Sequence, residues 1–198
     1  MTLLKPVSDF SGLRPWAVAL AAAWLLGACA SVPLDGPRTP STAFEQTQDT
    51  RLAGTSARWR EAISDRDGFY PLTQGKDAFG ARLALMDAAE ASIDTQYFLM
   101  KPDNAGWVFA GKMMEAADRG VRVRFLLDDV FTTVKDGGLS LLDNHPNIEV
   151  RIFNPVSRKG IYGLNYAGNF KIANRRMHNK SFTVDNQVSI DGGRTIAD

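Results

Sequence analysis

Hydrophobic and polar residues alternate in short stretches of the central chain. The stretch 92–100 places Ile93, Thr95, Tyr97 and Leu99 on one face and Gln96 and Phe98 on the other. Because successive side chains of an extended strand point to opposite faces, this stretch is predicted to be a β-strand. Residues 121–127 and 148–153 are predicted to form two further strands.

Apolar residues with helical spacing separate these strands. One predicted helix has Asp77 as its N-cap and carries an apolar stripe of Phe79, Leu83, Met86 and Ala89. A second helix, residues 106–119, follows the capping pair Asp103-Asn104 and ends before Gly120, and a short helix covers residues 137–144. The order strand, helix, strand, helix, strand predicts an α/β fold in which neighbouring strands run parallel.

The N-terminal part has a different composition. Residues 17–28 form an uninterrupted apolar run that follows the basic residues Lys5 and Arg14 and is too short to span a bilayer comfortably. Residues 1–28 are therefore predicted to be a signal peptide. Residues 29–58 contain prolines among polar residues without an apolar period, which predicts a flexible tether. The folded domain is expected to cover residues 59–198, with a weak helix at its beginning.

Charge and residue usage exclude several classes of protein. The chain has 198 residues, a formal net charge of +1, one cysteine and two histidines. Its ordinary apolar content excludes a disordered protein, and its charge indicates no particular partner. One cysteine excludes an internal disulfide framework and a cysteine-rich zinc site. The two histidines are 33 residues apart, which argues against a histidine-based metal site.

The candidate catalytic segment is His178-Asn-Lys180-Ser-Phe-Thr-Val-Asp185. His178 and Lys180 are two residues apart, so on an extended strand both side chains leave the same face. An imidazole nitrogen can attack phosphorus, and an adjacent ammonium can neutralise the charge that develops on the phosphate oxygens. The alternative is a hydrogen-bonded strand histidine beside a solvated lysine. Asp185-Asn186 is predicted to be a tight turn that leads into a returning strand at residues 187–190.

A basic segment leads into this motif. Residues 151–180 contain seven basic residues and no acidic residue, with aromatic residues between them. This composition suits a phosphate-bearing substrate, either an anionic lipid headgroup or nucleic acid, and makes Arg176 a candidate substrate-binding residue. The alternative is a solvated loop.

Two adjacent carboxylates, Asp128-Asp129, end the second predicted strand. Ligands of open α/β sheets bind at this edge, so a metal site is one interpretation. Loop capping is the favoured alternative, because no other acidic or histidine residue obviously converges there.

The segment His178 to Asp185 resembles the H-x-K-x4-D motif of the phospholipase D superfamily, and Gly192-Gly193 resembles its extension. Upstream segments resemble the first half of bacterial cardiolipin synthases, particularly their C-type branch: Phe69-Tyr-Pro-Leu, Ser92-Ile-Asp-Thr-Gln-Tyr-Phe, Arg119-Gly-Val-Arg-Val-Arg and Leu126-Leu-Asp-Asp. The resemblance covers residues 60–198. It implies a phospholipase D-like layered fold, with a central mixed or parallel sheet flanked by helices and incomplete at the C-terminus.

The resemblance also implies roles for individual residues. His178 would form a phospho-histidine that water or an alcohol resolves, and Lys180 would hold phosphate oxygens. Asp185 would contribute orientation and charge balance. Gly193 and Thr195 would bind substrate, although the family usually has Asn where this chain has Thr195. The implied chemistry needs no metal and no other cofactor.

The residues Leu26-Gly27-Ala28-Cys29 resemble a bacterial lipobox. This resemblance implies cleavage before Cys29 and attachment of lipid to its thiol, and the alternative is an ordinary buried or free thiol. The expected product is a lipid-anchored membrane protein of the cell envelope that faces the periplasm.

The chain contains one H-x-K-x4-D motif, whereas family enzymes combine two, either in one chain or across a dimer. The resemblance therefore implies that a second half-site is needed, from a missing C-terminal half or from a second copy. Three functions stay open. They are phosphatidyl transfer of the cardiolipin synthase type on an anionic phospholipid, a dimeric nuclease or phosphodiesterase acting on nucleic acid, and a truncated, non-catalytic envelope lipoprotein.

Overall fold

The computed structural model describes residue 32 and residues 39–64, 68–130, 132–134 and 136–198. Within these ranges the elements follow one another as α1 (Arg51–Ile63), α2 (Gly75–Ala88), β1 (Ser92–Tyr97), α3 (Asn104–Asp118), β2 (Arg122–Asp128), α4 (Asp136–Asp143), β3 (Ile148–Phe153), α5 (Tyr162–Gly168), α6 (Phe170–Ala173), β4 (Lys180–Val184) and β5 (Val188–Asp191). No helix in these ranges has the length and apolar content needed to cross a membrane. The predicted signal peptide and Cys29 lie outside the described residues.

The strands form one mixed sheet in the order β3-β2-β1-β4-β5. The first three strands are parallel, and β4 runs antiparallel to both β1 and β5. Helices α3 and α4 connect the parallel strands, because a parallel pair needs a crossover. Asp185 and Asn186 both have φ 51 and form the turn between β4 and β5, as predicted. The predicted α/β class with a mixed sheet is confirmed.

An aromatic cluster forms the centre of the core between the sheet and the helices. The Tyr97 ring contacts Phe109 and Phe125 edge-on, at centroid distances of 5.7 and 6.5 Å. Phe182 contacts Phe109 at 6.0 Å, which joins β4 to the same cluster. The Tyr97 hydroxyl accepts a 2.6 Å hydrogen bond from Nε of buried Arg82, so its polar end is satisfied.

Helices α2 and α3 differ in how well their predicted N-termini and buried sides agree with the structure. Helix α3 is capped by Asp103 as predicted, since this carboxylate accepts a 3.0 Å hydrogen bond from the Gly106 amide, and it begins at Asn104, two residues before the predicted start. Helix α2 begins at Gly75 and not at Asp77, with Gln74 as its N-cap. Met86 and Ala89 of the predicted stripe are buried, whereas Ala78 and Arg82 are buried in place of their neighbours Phe79 and Leu83, which are half-buried. The sequence pattern missed this difference because Arg82 lies inward to reach the tyrosine.

Part of the predicted tether packs against the sheet. Arg122 donates a 2.9 Å hydrogen bond to the Thr42 carbonyl, and its guanidinium lies 3.5 Å from the Phe44 ring centroid. Helix α1 begins at Arg51, where the Thr50 hydroxyl caps it by accepting from the Ala53 amide. The tether predicted for residues 29–58 is therefore wrong for residues 39–58, because arginines of the sheet provide donors that hold this segment.

Asp185 ties the β4–β5 turn to the beginning of β1. Its carboxylate is fully buried and accepts hydrogen bonds from the amides of Glu90, Ala91 and Ser92 at 3.1, 2.8 and 2.9 Å. Charge-assisted hydrogen bonds to several amides are strong, so this residue fixes β4 beside β1.

Replacing Asp185 by Ala is expected to lower the free energy of unfolding by about 2–4 kcal/mol, because buried amides lose their acceptor. Urea denaturation followed by circular dichroism measures the change. Asp191→Ala provides a matched control on exposed β5, where a change within about 0.5 kcal/mol is expected. Equal stability of the Asp185→Ala variant and the unchanged chain would contradict this structural role.

Candidate active site

The imidazole of His178 and the ammonium of Lys180 meet against the ring of Phe98. His178 lies in the extended residues before β4 and is exposed, with its ring 4.7 Å from the Phe98 ring centroid at an angle of 67°. Lys180 begins β4, and its Nζ lies 5.0 Å from the same centroid. The two side chains therefore share one aromatic contact, at the end of β4 where Lys180 begins the strand.

Lys180 is buried and differs from the solvated lysine of the alternative interpretation. The residue is 6% exposed, and its Nζ donates a 2.9 Å hydrogen bond to the His178 carbonyl. Burial lowers the pKa of Lys180 below its ordinary value of 10.5. Among the described residues no carboxylate pairs with this ammonium. Because an ammonium has three donors, Lys180 retains the capacity to bind an anion.

Residues at the end of β1 hold this segment in place, and the sequence analysis did not assign them to the site. The Gln96 side chain accepts a 2.9 Å hydrogen bond from Nδ2 of Asn179, and the Phe98 ring contacts both His178 and Lys180. The sequence offers one indication of this role: Gln96 and Phe98 share the face of the predicted strand opposite Ile93, Thr95 and Tyr97. The Gly192 amide donates to the Lys180 carbonyl at 3.3 Å, so the glycine pair lies at the same end of β4.

Arg176 does not present its guanidinium to a substrate, which corrects the prediction for this residue. Its Nη1 bonds to Asp128 at 3.0 Å, and its Nη2 donates to the Asn154 carbonyl at 2.9 Å. The Met177 amide bonds to the second oxygen of Asp128 at 2.8 Å. Asp128 is fully buried and needs a counter-charge, so Arg176 fixes the chain just before His178.

The second aspartate of the pair caps a loop as well. Asp129 accepts hydrogen bonds from the Val156 amide and from Nη2 of Arg158, each at 2.7 Å. Both carboxylates are thus used within the protein, as the capping interpretation predicts. The described residues contain no group of three or more His, Cys, Asp or Glu residues arranged to hold a metal ion.

Asp185 lies at the opposite end of β4 from Lys180, so the predicted charge balance at the site is wrong. At about 3.3 Å per residue, the strand separates the two residues by roughly 16 Å. The carboxylate instead bonds the amides before β1. Asp185 contributes to orientation only through the position of the strand.

Gly193 and Thr195 line a cleft of about 580 Å³ together with the first turns of α2 and α3. His178 and Lys180 do not line this cleft. The Ile196 amide bonds to the Leu99 carbonyl at 3.3 Å, which places this segment beside the residues that follow Phe98. A Cβ atom at Gly193 would meet nothing within 4 Å, so the space beside its backbone is open.

Known proteins similar to this chain were found by sequence and by structure, while no protein-family model matches it. Cardiolipin synthase C of Escherichia coli (strain K12) is 50% identical over 131 residues, which are 66% of this chain and 28% of that protein. A cardiolipin synthase of Geobacillus kaustophilus is 31% identical over 127 residues, covering 64% of this chain and 24% of that protein. Nuc from Salmonella typhimurium, a phospholipase D family member of known structure, has a TM-score of 0.38 and 22% identity, covering 60% of this chain and 64% of that one.

The aligned sequences and the H-x-K-x4-D motif agree on one class. Over the part that aligns, the chain is cardiolipin synthase-like, and its H-x-K-x4-D segment resembles the motif of the phospholipase D superfamily. It spans 28% and 24% of the lengths of the two cardiolipin synthases.

Replacing Arg176 by Ala is expected to lower the free energy of unfolding by about 3–5 kcal/mol, because the buried charge of Asp128 loses its partner. The neighbouring Arg175→Ala is the matched control, since Arg175 is exposed and a change within about 0.5 kcal/mol is expected. Urea denaturation of both variants provides the measurement. If both variants were as stable as the unchanged chain, the structural role of the ion pair between Arg176 and Asp128 would be refuted, and Arg176 would be available for substrate.

Proposed function

We propose that this chain provides one half-site for phosphodiester transfer on an anionic phospholipid, through a phospho-histidine at His178. One observation carries the proposal. An exposed imidazole and a buried ammonium both contact the Phe98 ring, and the ammonium has no carboxylate partner among the described residues. This arrangement offers a nucleophile and an anion-binding cation at the same point.

In the proposed first step an imidazole nitrogen of His178 attacks phosphorus, and the bond to the leaving alcohol oxygen breaks. Lys180 donates hydrogen bonds to the non-bridging oxygens, where negative charge increases in the transition state. An acid then protonates the leaving oxygen. In the second step an acceptor hydroxyl attacks phosphorus and gives its proton to the conjugate base of that acid, while the bond between phosphorus and the imidazole nitrogen breaks, which releases the product and restores both groups.

The acid of the first step is proposed to come from a second half-site. The other histidine of this chain, His145, has both ring nitrogens engaged, at 3.2 Å from Asp118 and 3.1 Å from the Asn147 amide. Within the described part of the chain, no side chain hydrogen-bonds to the His178 imidazole. A second copy or a further domain would supply both the acid and the group that orients this ring.

The proposed substrate agrees with the proposed location of the chain. A lipid attached to Cys29 would hold the domain at a membrane of the cell envelope, on its periplasmic side, where anionic phospholipids are present. The similarity to cardiolipin synthases supports a phospholipid over nucleic acid as the substrate.

The purified full chain is expected to form cardiolipin from phosphatidylglycerol vesicles, with a rate per chain that rises with chain concentration as half-sites pair. His178→Ala is expected to abolish the product together with an acid-labile phosphate on the chain. Lys180→Met is expected to lower the rate about 10²–10³-fold, because transition-state charge loses its donor. Thin-layer chromatography of labelled lipid measures turnover.

Lys112→Met is the control for loss of a lysine, since Lys112 lies on α3 and pairs with Asp87 and Glu115. A parallel assay on single-stranded DNA separates the alternatives. Cleavage of DNA without any lipid product would favour a nuclease, and absence of turnover on both substrates at every concentration would favour a non-catalytic lipoprotein. Either outcome overturns the proposal.

Radiolabelled palmitate fed to cells that produce the full chain is expected to label the wild type but not Cys29→Ala. The thiol of a lipobox cysteine carries the lipid, so alanine removes the attachment point. Autoradiography of the immunoprecipitated chain measures incorporation. Equal labelling of both chains would contradict a lipid anchor at Cys29.

A further inference from the structure

Helix α5 exposes apolar residues to solvent and buries its asparagine. Among its described side chains, the exposed positions are Gly163, Leu164, Ala167 and Gly168. Asn165 is fully buried, and its amide donates to the carbonyls of Ser157 and Lys159 at 2.9 and 2.6 Å. This pattern is the reverse of that of an ordinary surface helix, whose charged and polar residues face water.

Large apolar side chains extend this surface on both sides of the helix. Ile161 precedes α5 and is 59% exposed, and Phe170 begins α6 and is 55% exposed. Phe170 also contacts Tyr166 edge-on at 6.3 Å, which joins the two helices. We refer to Ile161, Leu164, Ala167 and Phe170 as the α5–α6 surface. Several exposed apolar side chains within ten residues of the chain are unusual for a solvated segment and indicate an interaction site.

Positive charge accompanies the α5–α6 surface along the chain. Lys159, Lys171 and Arg175 are exposed and lie within a few residues of it in the sequence, and residues 150–184 contain no acidic residue. The nearby carboxylates are already paired: Asp129 and Asp136 bind Arg158, and Asp128 binds Arg176. The three exposed cations therefore give this segment a net positive charge.

We propose that the α5–α6 surface docks onto an anionic lipid bilayer, with its apolar side chains inserted at the headgroup level. Apolar side chains accompanied by exposed cations are complementary to anionic headgroups over acyl chains. Nucleic acid fits less well, because aliphatic side chains such as Ile161 and Leu164 cannot stack on bases as aromatic rings do.

Two hydrogen bonds connect the α5–α6 surface to the residues that precede His178. Arg176 Nη2 donates to the Ile172 carbonyl at 3.2 Å, and the Asn154 side chain donates to the Arg175 carbonyl at 3.0 Å. These bonds attach α6 to the residues just before His178, which the ion pair between Arg176 and Asp128 holds in place. Docking goes beyond the proposed function, since it needs no turnover and is expected to persist in His178→Ala.

The single cysteine of the chain permits a local test. Full chains with Cys29→Ala carry Ile161→Cys, Phe170→Cys or Leu141→Cys, each labelled with an environment-sensitive fluorophore. Leu141 is the matched control, because it is 64% exposed on α4, outside the α5–α6 surface. Phosphatidylglycerol-containing vesicles are expected to shift the emission to the blue at positions 161 and 170 and not at 141. Lys171→Ala is expected to weaken this response about fivefold, the contribution of one cation near an anionic surface.

Several outcomes would overturn the proposal. They are no shift at positions 161 and 170, an equal shift at position 141, or an equal response to vesicles of phosphatidylcholine alone. A response to single-stranded DNA without a response to vesicles would assign the surface to nucleic acid instead. The same measurements on His178→Ala separate docking from catalysis, because loss of activity leaves the expected shift unchanged.

Discussion

The buried carboxylate of Asp128 is the constraint on which the candidate site depends. A fully buried charge is costly unless it is paired and hydrogen-bonded, and Asp128 meets this condition with the Arg176 guanidinium and the Met177 amide. These partners lie immediately before His178. The ion pair at the end of β2 therefore determines where the imidazole emerges, next to the end of β1 that carries Phe98.

Lys180 is also buried, but unlike Asp128 its charge is not paired with a group of opposite charge in the described part of the chain. Desolvation disfavours the ammonium and lowers its pKa. The charged form therefore makes the fold less stable at pH values below that lowered pKa, and this penalty decreases as the pH rises from the lowered pKa to the ordinary value of 10.5. A bound phosphate would relieve the same penalty. Asp128 and Lys180 thus differ: the fold neutralises one charge, and the other has no carboxylate partner among the described residues.

The sequence pattern predicted the backbone better than it predicted the partners of side chains. Alternation in residues 148–153 and the cap at Asp103 correspond to β3 and α3, because local spacing determines both. Arg176 and Asp185 have carboxylate and amide partners that are 48 and 94 residues away in the chain. Nothing in local spacing reports such distant partners, so both residues were assigned to substrate or catalysis. Their charges in fact hold strands and loops together.

The α5–α6 surface is close to His178, the proposed nucleophile, along the chain. The α5–α6 surface and His178 belong to one segment between β3 and β4, and the Arg176 bonds to Asp128 and Ile172 join them. Contact of this surface with a bilayer would hold the imidazole near the headgroups, where the phosphodiester of a lipid lies. Confinement to a membrane also raises the effective concentration of a second half-site, because two docked chains meet in a layer and not in bulk solution. If the general acid comes from a second half-site, as proposed, docking would serve the domain in two ways, by bringing it to its substrate and by bringing it to its partner.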